Sequence, residues 1–595
     1  MTTAAIEVER PQRWDHPLSA AMQAEDVQWL LRQAPFANMD AERFARTTPL
    51  ADILRNDTRL VHFAPGDVIF REGQYGGTAF LVLSGSVRVF LTKLFASQGS
   101  SASASSRWRW LASTLGWQKS TAAGGEGRDA KSARRRDRDS RPTPQPLAAE
   151  HLGQRGSGSE TRIFLQDVPR VLSEHATAAV TSGELFGELA AVTRAPREYT
   201  AVAEAESIVL EIRWQGLKLL KQDPAFSQLL DERYRNEVLQ SHLRETLLFR
   251  FVPADSLQRV VEATRLESFG QLEWYASYRR QLDQPVAQRI AAEPQIASEG
   301  DYAAGLWIVR AGFARLSRRQ GAGHRTLAYL GKGQLFGLRE LAHNFRFPQQ
   351  PPLPFQESLR AIGYVDALCI PKQTIFEHVL PYVRQADLPA PIDSPRYQFG
   401  LPVVDAPLEA QEHQVETGLL EFLVDQRLMN GRQAMVIDLE RCTRCDDCVR
   451  ACAATHGGTP VFERHGPQYD RWQFPQACMH CEDPVCMIGC PTGAIHRDHD
   501  TGLVQINQAT CIGCKTCAES CPYEAIRMQY SRDGQGRAKV ASDTGLPILH
   551  ASKCDMCTSQ RGGPACQAAC PHSALVRLDL SDLPQIRLWN SGEPT

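Results

Sequence analysis

One stretch decides the fold of the C-terminal part of the chain: Cys511-Ile-Gly-Cys514-Lys-Thr-Cys517-Ala-Glu-Ser-Cys521-Pro522. Three thiols follow at two-residue gaps, and a fourth comes after three more residues. The same spacing occurs upstream, at Cys442, Cys445, Cys448 and Cys452. Two further groups keep the outer gaps and lengthen the middle gap: Cys478, Cys481, Cys486 and Cys490, and then Cys554, Cys557, Cys566 and Cys570.

These groups hold sixteen of the 17 cysteines, and only Cys369 lies outside them. The first residues of the chain lack the basic and apolar regions of a secretory signal, so we expect a cytoplasmic location. Thiols stay reduced there and disulfide frameworks are rare. Clustered thiols in such a compartment indicate metal binding.

The spacing suits a cubane cluster. Two-residue gaps let a tight loop direct three thiolates at one cluster, while the fourth cysteine leads away and binds the neighbouring cluster. Four groups therefore predict four [4Fe–4S] clusters in paired bacterial-ferredoxin folds. Structural zinc is the alternative, because zinc sites also use C-x2-C pairs. A tetrahedral site does not need a third cysteine at the next step, which favours iron.

Residues from about 433 to 580 resemble the four-cluster ferredoxin subunits of molybdopterin oxidoreductases, of the dimethyl sulfoxide reductase and formate-dependent nitrite reductase types. The sequence departs from the family at two places. Ala453 stands where the family usually has proline, and the extended gap between Cys557 and Cys566 in the fourth group is shorter than is usual for the family. Neither removes a ligand. The resemblance implies four ligand sets: a first set of Cys442, Cys445, Cys448 and Cys570; a second of Cys452, Cys554, Cys557 and Cys566; a third of Cys478, Cys481, Cys486 and Cys521; and a fourth of Cys490, Cys511, Cys514 and Cys517.

Clusters ligated only by cysteine leave no iron open to substrate, which favours electron relay over catalysis. We find no catalytic motif outside the cysteine groups. We therefore expect an electron-transfer subunit that serves a partner oxidoreductase. His456, His480 and His572 lie close to cysteines, and we expect them to be neighbours that tune a potential rather than ligands.

The first 400 residues contain a repeat. The motif Glu72-Gly73-Gln-Tyr75 recurs 227 residues later as Glu299-Gly300-Asp-Tyr302, and the apolar runs after each copy also match. An offset of this length indicates two copies of one whole domain. Short apolar runs bounded by glycine turns predict β-strands, and many of them together predict a jelly roll.

The first copy carries Phe186-Gly-Glu-Leu-Ala190, and then Pro196-Arg197 and Thr200. This resembles the phosphate-binding cassette of cyclic nucleotide-binding domains. The resemblance implies that a short helix start and Arg197 hold the phosphate and that Glu188 accepts a ribose hydroxyl. Cyclic AMP or cyclic GMP is the ligand to expect, at Gly187, Glu188, Leu189, Ala190, Arg197 and Thr200.

Two departures leave an alternative open, a domain that keeps the fold but has an empty or altered pocket. Glu198 and the bulky Tyr199 follow the arginine, where nucleotide-binding relatives have small or hydroxyl residues. The second copy has lost both anchors, because Leu338 replaces the glutamate and the arginine position falls near Phe355. We therefore expect no nucleotide there.

The predicted fold class is a multidomain protein with two β jelly-roll cyclic nucleotide-binding-like domains and an α+β tandem bacterial-ferredoxin-like domain. Asp223-Pro224 predicts a helix start. The predicted order is a helical segment, 1–45; the first domain, 46–248, with a disordered insertion at about 96–160; the degenerate second domain, 249–383; a connector and helix, 384–432; the cluster domain, 433–580; and a tail, 581–595.

A net charge of −2 gives no general attraction to nucleic acid, and we find no DNA-reading helix. No apolar run is long enough to span a membrane. The helix after Asp223 could form a homodimer or belong to the core of one chain. Two functions stand against each other: an electron relay whose front domains regulate or dock, and a redox-responsive regulator in which cluster state controls the front domains.

Overall fold

The computed structural model describes the following residues: 5–8, 22–44, 49–90, 152–155, 162–175, 177–193, 196–197, 199–234, 239–271, 274–321, 323–393, 395–398, 401–402, 416–533, 535–560, 562–583, 585–586 and 589.

The chain up to residue 245 contains two four-stranded antiparallel sheets packed as a sandwich, here called the first β-roll. Their strand orders are β3-β10-β5-β8 and β2-β11-β4-β9. The strands are β1 Ile6–Val8, β2 Thr58–Phe63, β3 Val68–Phe70, β4 Thr78–Ser84, β5 Ser86–Phe90, β6 Leu152–Arg155, β7 Arg162–Leu165, β8 Thr177–Thr181, β9 Leu185–Phe186, β10 Thr200–Ala203 and β11 Ser207–Arg213. The helices are α1 Ala24–Leu30, α2 Leu50–Asp57, α3 Val168–Glu174, α4 Glu188–Thr193, α5 Trp214–Leu220, α6 Pro224–Arg233 and α7 Leu239–Glu245.

Between the two sheets lies an aromatic core. The rings of Phe70, Phe80 and Phe186 stack on one another with centroids 5.2–5.9 Å apart. Each is almost fully buried, and a buried phenylalanine side chain contributes about 1.5–3 kcal/mol. Phe186 directly precedes the cassette glycine, so this core fixes where the cassette starts.

The structure corrects two expectations in this half of the chain. The predicted disordered insertion ends early, because β6 and β7 form an antiparallel hairpin that pairs Leu152 with Leu165. Residues 91–151 lie outside the described part. The N-terminal segment is not only helical, since β1 is a strand. The helix start predicted at Asp223 is confirmed: its carboxylate accepts a hydrogen bond from Phe226 N–H at 3.0 Å, and α6 begins at Pro224.

The second β-roll is one folded antiparallel sheet built on two long strands. The chain bends within β14 near Gly312, whose φ is +82° and whose missing side chain leaves room for the backbone of Tyr364. The strands are β12 Arg265–Phe269, β13 Gln295–Ala297, β14 Gly305–Gln320, β15 Gly323–Leu330, β16 Leu335–Phe336 and β17 Ser358–Pro371. The helices are α8 Ala254–Ala263, α9 Tyr275–Gln281, α10 Val286–Ala291, α11 Leu338–Arg346 and α12 Lys372–His378.

The predicted connector is not a free linker at its C-terminal end. Two short strands, β18 Tyr397–Gln398 and β19 Leu401–Pro402, precede residues 403–415, which lie outside the described part. The helix predicted at Thr417–Asp425 is present with those bounds as α13. Leu419 and Leu423 on this helix are fully buried in a core shared with Leu306 of β14. The apolar side chains of the helix therefore pack against the second β-roll.

The last part of the chain, residues 434–578, is here called the cysteine module. Its central strand β20 runs from Ala434 to Asp438, which confirms the strand predicted at Met435–Ile437, and it pairs with β22 and β28. The strands are β20, β21 Gln468–Tyr469, β22 Trp472–Gln473, β23 Ile495–Arg497, β24 Val504–Ile506, β25 Arg527–Tyr530, β26 Lys539–Ala541, β27 Leu549–Ser552 and β28 Leu575–Leu578. The helices are α14 Asp447–Thr455, α15 Val485–Ile488, α16 Thr516–Ser520 and α17 Ala565–Ala568.

Strand β1 adds to this module rather than to a β-roll. Ile6 pairs with Lys539 and Val8 with Ala541, in parallel. None of the helices in the described ranges combines the length and the apolar character that a membrane crossing requires.

Candidate functional site

Each regular cysteine group lies on a loop that bends sharply before a short helix. Arg444 and Asp446 have φ of +59° and +63°, and α14 with Cys448 and Cys452 follows. In the third group Lys515 has φ of +67° immediately before α16. Left-handed backbone is uncommon for residues other than glycine, so these positions mark loops held in an unusual curvature.

Four thiols line one cavity of about 320 Å³, including its mouth: Cys490, Cys511, Cys514 and Cys517. Three come from one sequence group and one from the preceding group. They are the four members of the fourth set implied by the resemblance. Cys514 is exposed, whereas Cys490 and Cys517 are buried.

The third set also comes together, around Cys481. Burial raises the pKa of Cys481 well above its usual value, and the neighbouring thiols of Cys478, Cys486 and Cys521 raise it further. Burial likewise raises the pKa of Cys521 to about 11. Thiols in such a place keep their protons until a metal takes the thiolate form, so metal binding would release protons.

The second set is assembled around Cys452. Burial raises the pKa of this thiol to about 12, and the thiols of Cys554, Cys566 and Cys557 add to the rise. The first set is only partly visible, because the described interactions of Cys448 are with Cys566 and Cys442. Cys445 and Cys570 join that set through the resemblance alone.

Backbone donors are directed at several of these sulfurs. Val461 N–H donates to Cys452 Sγ at 3.4 Å, and Ala551 N–H donates to Cys511 Sγ at 3.5 Å. Ala574 N–H donates to Cys570 Sγ at 3.3 Å. Such bonds favour the thiolate and help to set the reduction potential of an iron–sulfur cluster. The donor pattern fits anionic ligands.

The side chain of His480 indicates independently which kind of group fits the cysteine module. Its Nδ1 accepts a hydrogen bond from Val504 N–H at 3.1 Å, so Nε2 carries the proton. Burial, with Lys553 and Arg577 nearby, holds the pKa of His480 well below its usual value and keeps the ring neutral. Nε2 has no hydrogen-bond partner within the described ranges. A sulfur of an iron–sulfur cluster is an acceptor that fits this buried donor.

The other two histidines differ. His456 Nε2 lies 3.1 Å from Asp555, and ligand atoms of His456, Asp555 and Cys557 all lie within 4.8 Å of one another. His456 Nδ1 is 3.7 Å from Cys452 Sγ. This histidine therefore touches the second set, as a neighbour should. His572 is exposed.

In the first β-roll the predicted phosphate ligand is engaged by the protein itself. Arg197 is 4% exposed, donates to the carbonyl of Gly187 and, at 2.7 Å, donates to that of Thr78. Its guanidinium lies 4.3 Å from the centre of the Phe70 ring. Burial lowers the pKa of Arg197 to about 10, which leaves it charged at neutral pH.

The rest of the cassette is present and mostly buried. Gly187 has φ of +73° and starts α4, which contains Glu188, Leu189 and Ala190. Glu188 and Ala190 are buried. Thr200 is also buried and accepts a hydrogen bond from Glu72 N–H at 3.1 Å. Glu198 lies outside the described residues.

The bulky residue after the arginine has a definite role in this structure. Tyr199 OH accepts the hydrogen bond of Gly187 N–H at 2.8 Å. Because that amide belongs to the turn that the resemblance assigns to phosphate, a nucleotide would have to displace the tyrosine. The sequence indicates only the size of Tyr199 and does not predict this hydrogen bond.

The second β-roll confirms the position assigned to Phe355. A side-chain carbon placed on Gly337 would lie 2.8 Å from the Phe355 ring, much as one on Gly187 would lie 2.6 Å from Arg197 Nη1. The backbone of Phe355 pairs with Gly300 and Asp301 as that of Arg197 pairs with Gly73 and Gln74. Leu338 starts α11 at the place of the ribose glutamate.

One residue of the first β-roll reaches into the cysteine module, a contact that no motif in the sequence predicts. Tyr75 is 8% exposed, and its hydroxyl bonds Arg432. Its backbone N–H donates to His499 O at 2.9 Å, and its carbonyl lies beside His499 Nδ1. The Arg497 guanidinium lies 4.9 Å from the Tyr75 ring and donates to Cys481 O at 2.7 Å. A short path of contacts thus runs from the loop between β3 and β4 to a cysteine of the third set.

A second contact lies beside Cys490. Arg213, paired with Asp57, donates to Thr492 O at 2.8 Å and to Pro491 O at 3.2 Å. Both carbonyls belong to the turn that follows Cys490. The first β-roll therefore also contacts the cysteine module beside a member of the fourth set.

Comparison with known proteins agrees with this geometry. The electron transport protein HydN of Escherichia coli is 36% identical over 166 residues, which cover 91% of that protein and 26% of this chain. The ferredoxin-like protein YdhX of Escherichia coli is 34% identical over 173 residues, 69% of its length and 27% of this chain. The chain belongs to the ferredoxin-like iron–sulfur electron-transport proteins.

Two family models match inside this ferredoxin-like chain. The 4Fe-4S dicluster domain matches residues 470–579, and the cyclic nucleotide-binding domain matches residues 288–380. The second match falls on the second β-roll, the copy without the arginine. Formate hydrogenlyase subunit 2 of Escherichia coli is 31% identical over 180 residues, which cover 84% of it and 26% of this chain.

Among solved structures, the regulatory domain of Toxoplasma gondii PKA with cAMP aligns over 60% of this chain and 93% of its own, at 14% identity and a TM-score of 0.18. A putative cyclic nucleotide binding protein from Ruegeria pomeroyi aligns over 23% of this chain and 48% of its own, at 16% identity and a TM-score of 0.17. TM-scores this low do not establish a shared fold for either β-roll or for the cysteine module.

Proposed function

We propose that this protein relays single electrons through four [4Fe–4S] clusters, held by the four ligand sets, to or from a partner oxidoreductase. One observation carries the proposal. The first and fourth sets each contain one exposed cysteine, Cys445 and Cys514, whereas the second and third sets contain none. A relay needs two ends that a partner can approach and a centre shielded from solvent.

Contacts between the sets support a linear order. Cys448 of the first set lies near Cys566 of the second, and Cys486 of the third lies near Cys517 of the fourth. Arg577 contacts Cys554 Sγ of the second set at 3.3 Å and Cys478 O of the third at 3.4 Å. Each set thus adjoins the next one in the series.

When bound, each cluster would accept and release one electron. The residues of this chain would supply thiolates, direct amide donors at their sulfurs and exclude water from the central sets. The partner is proposed by analogy with the relatives, one of which is named an electron transport protein and another a formate hydrogenlyase subunit.

Anaerobic purification with iron quantification and EPR tests the relay. We expect about sixteen irons per chain, four for each set, and reducible cubane signals. Cys514→Ser should lose or weaken one cluster. Cys369→Ser is the matched control, because Cys369 is buried in the second β-roll and away from the module. A colourless zinc protein, or irons that never change valence, would end the proposal.

The first β-roll is proposed as a second copy of the cyclic nucleotide-binding domain that acts on the relay. A phosphate could replace the carbonyls of Gly187 and Thr78 as the partners of Arg197. The guanidinium packs directly on Gly76, next to Tyr75. A shift of Arg197 would therefore reach Tyr75 and, through it, Arg497 and the third set.

The rate of cluster reduction, measured with and without cyclic AMP or cyclic GMP, tests this regulation. A nucleotide should change the rate in the natural protein and leave it unchanged in Tyr75→Ala. Tyr302→Ala is the matched control, because Tyr302 holds the same place in the repeat but is 57% exposed. If saturating nucleotide has no effect on the natural protein, nucleotide regulation is wrong while the relay stands.

The contact beside Cys490 favours one second candidate, a redox-responsive regulator. Arg213 bonds the turn next to that cysteine, so a change at the fourth set could reach α5 and β11. In that case Cys514→Ala, which lacks one ligand of the fourth set, would alter partner binding without any dependence on electron flux. An unchanged binding curve would leave the relay as the only function.

A further inference from the structure

Cationic side chains lie inside the cysteine module, between the second and third ligand sets. Lys553 is 6% exposed, and Arg577 is half-buried. Removing a charge from water costs several kcal/mol unless an opposite charge or strong hydrogen bonds compensate. Such groups are therefore kept inside where hydrogen-bond acceptors or negative charge face them.

Lys553 is fixed at the point where the two sets meet. Its ammonium donates to the carbonyl of Val504 and, at 3.0 Å, to that of Cys554 in the second set. His480, which lies between two cysteines of the third set in sequence, accepts from the N–H of the same Val504. Lys553 is thus bonded to the carbonyl of Val504 and His480 to its N–H, and these bonds restrict the position of the ammonium group.

Arg577 bridges the same two sets. Its Nη2 donates to Cys554 Sγ at 3.3 Å, and its Nη1 donates to Cys478 O at 3.4 Å and to Gln433 O at 2.8 Å. The arginine therefore contacts a sulfur of the second set and the backbone of the third. Its position on β28, beside the central strand β20, makes it part of the rigid sheet.

The compensating charge is not a carboxylate. In the described part of the chain, the hydrogen bonds of Lys553 and Arg577 go to carbonyl oxygens and to cysteine sulfur, and neither forms an ion pair. The acidic groups beside them are thiols. Arg577 contacts the sulfur of Cys554, and Lys553 is hydrogen-bonded to the backbone carbonyl of the same cysteine.

We propose that Lys553 and Arg577 raise the reduction potentials of the two central clusters, those held by the second and third sets. The inference rests on the proposed relay. Reduction adds one electron and one negative charge to a central cluster, with no bond made or broken, while a reduced neighbouring cluster loses that electron. A buried cation a few ångströms away stabilises the added charge far more than one in water does. Electrons would then reside preferentially at the centre.

The test is an EPR-monitored potentiometric titration of the anaerobic full-length protein with redox mediators. In Lys553→Met and in Arg577→Met, we expect two of the four transitions to move to lower potential. The expected shift is at least about tenfold in the ratio of oxidised to reduced cluster, which is about 59 mV for one electron. Arg532→Met is the control, because this exposed arginine lies in the cysteine module outside the four cysteine groups and is screened by solvent and salt, so its potentials should match the natural protein.

Two charge-conserving variants separate electrostatics from packing. Lys553→Arg and Arg577→Lys should keep potentials close to those of the natural protein. Full iron content with unchanged or raised potentials in both methionine variants would overturn the inference and leave the relay intact. If Lys553→Met fails to load iron, the difference between Arg577→Met and Arg577→Lys decides. A natural protein without reducible clusters would instead defeat the proposed relay itself.

Discussion

A guanidinium lies over Gly187 in the first β-roll, and a phenyl ring lies over Gly337 in the second. The backbone around both residues is paired in the same way, through Gly73 and Gln74 in one copy and Gly300 and Asp301 in the other. The fold therefore needs something to fill the space above the cassette glycine, and both side chains do so. The presence of Arg197 at this place is compatible with a packing role as well as with phosphate binding.

The backbone amide of Gly187 distinguishes a packing role of Arg197 from a phosphate-binding role. In the first β-roll, Gly187 N–H is bonded to Tyr199 OH, so arginine and amide are both engaged before any ligand arrives. A nucleotide would have to replace protein contacts rather than fill an empty cradle. The comparison between the copies can therefore be sharpened by removing one contact at a time.

The largest effect is expected in the second copy. Phe355→Ala should lower the free energy of unfolding of the second β-roll by about 3–5 kcal/mol, because the ring is almost fully buried and packs against the ring of Phe336 with centroids 4.9 Å apart. Hydrogen exchange in β14 and β17 measures this locally. Phe251→Ala is the control, since Phe251 is 61% exposed. Equal exchange in both variants would mean that the ring does not fill the cassette.

Arg197→Met should destabilise the first β-roll by about 1.5–3 kcal/mol, the usual value of hydrogen bonds to a charged group, since methionine keeps part of the packing against Phe70. Exchange in β4 and β10 reports it, with exposed Arg43→Met as control. Calorimetry with cyclic AMP adds the second readout. Loss of binding without loss of stability would make Arg197 a ligand rather than a packing residue.

A pH difference between the copies comes next. Glu340 in α11 stands at the place of Ala190, and burial, with Glu357 nearby, raises the pKa of Glu340 to about 7. A carboxyl whose pKa is raised on folding stabilises at low pH, and this contribution is lost as pH rises through about 7. From pH 6 to 8.5 the second β-roll should lose about 1.4 kcal/mol relative to Glu340→Gln. Parallel curves for the two proteins would show that the carboxyl titrates normally.

The smallest effect tests the tyrosine. Tyr199→Phe removes one hydrogen bond to Gly187 and should cost about 1 kcal/mol in the first β-roll. The same change frees the amide, so any affinity for cyclic AMP should rise. Tyr530→Phe on the exposed surface of the cysteine module is the control. Weaker nucleotide binding in Tyr199→Phe would show that the hydroxyl contacts the ligand and does not compete with it.

Sequence reasoning succeeded where the information is local. The resemblance implied the group of Cys490 with Cys511, Cys514 and Cys517, and these four thiols line one cavity. The helix Thr417–Asp425 and the position of Phe355 were also predicted correctly. The assignment of the clusters themselves stays a prediction, as does nucleotide binding.

Sequence reasoning missed the contacts between segments that lie far apart along the chain. Nothing near Tyr75 distinguishes it from Tyr302, yet one is buried against Arg432 and Gly502 and the other is exposed. The folded structure, rather than the local sequence, places Tyr75 and not Tyr302 against these residues. Lys553 did have a local signal, as a lysine next to Cys554, but its burial depends on Val504 from another hairpin.

The pairing of β1 with β26 has a consequence for biosynthesis. Ile6 and Lys539 are neighbours in one sheet although 533 residues separate them along the chain. At the ribosome, where chains grow by about 5–20 residues per second, the first of these strands must wait roughly half a minute to two minutes for its partner. A strand made by some of the earliest residues can therefore pair only after most of the chain has been synthesised, and we expect a bulky tag fused ahead of Ile6 to hinder that pairing.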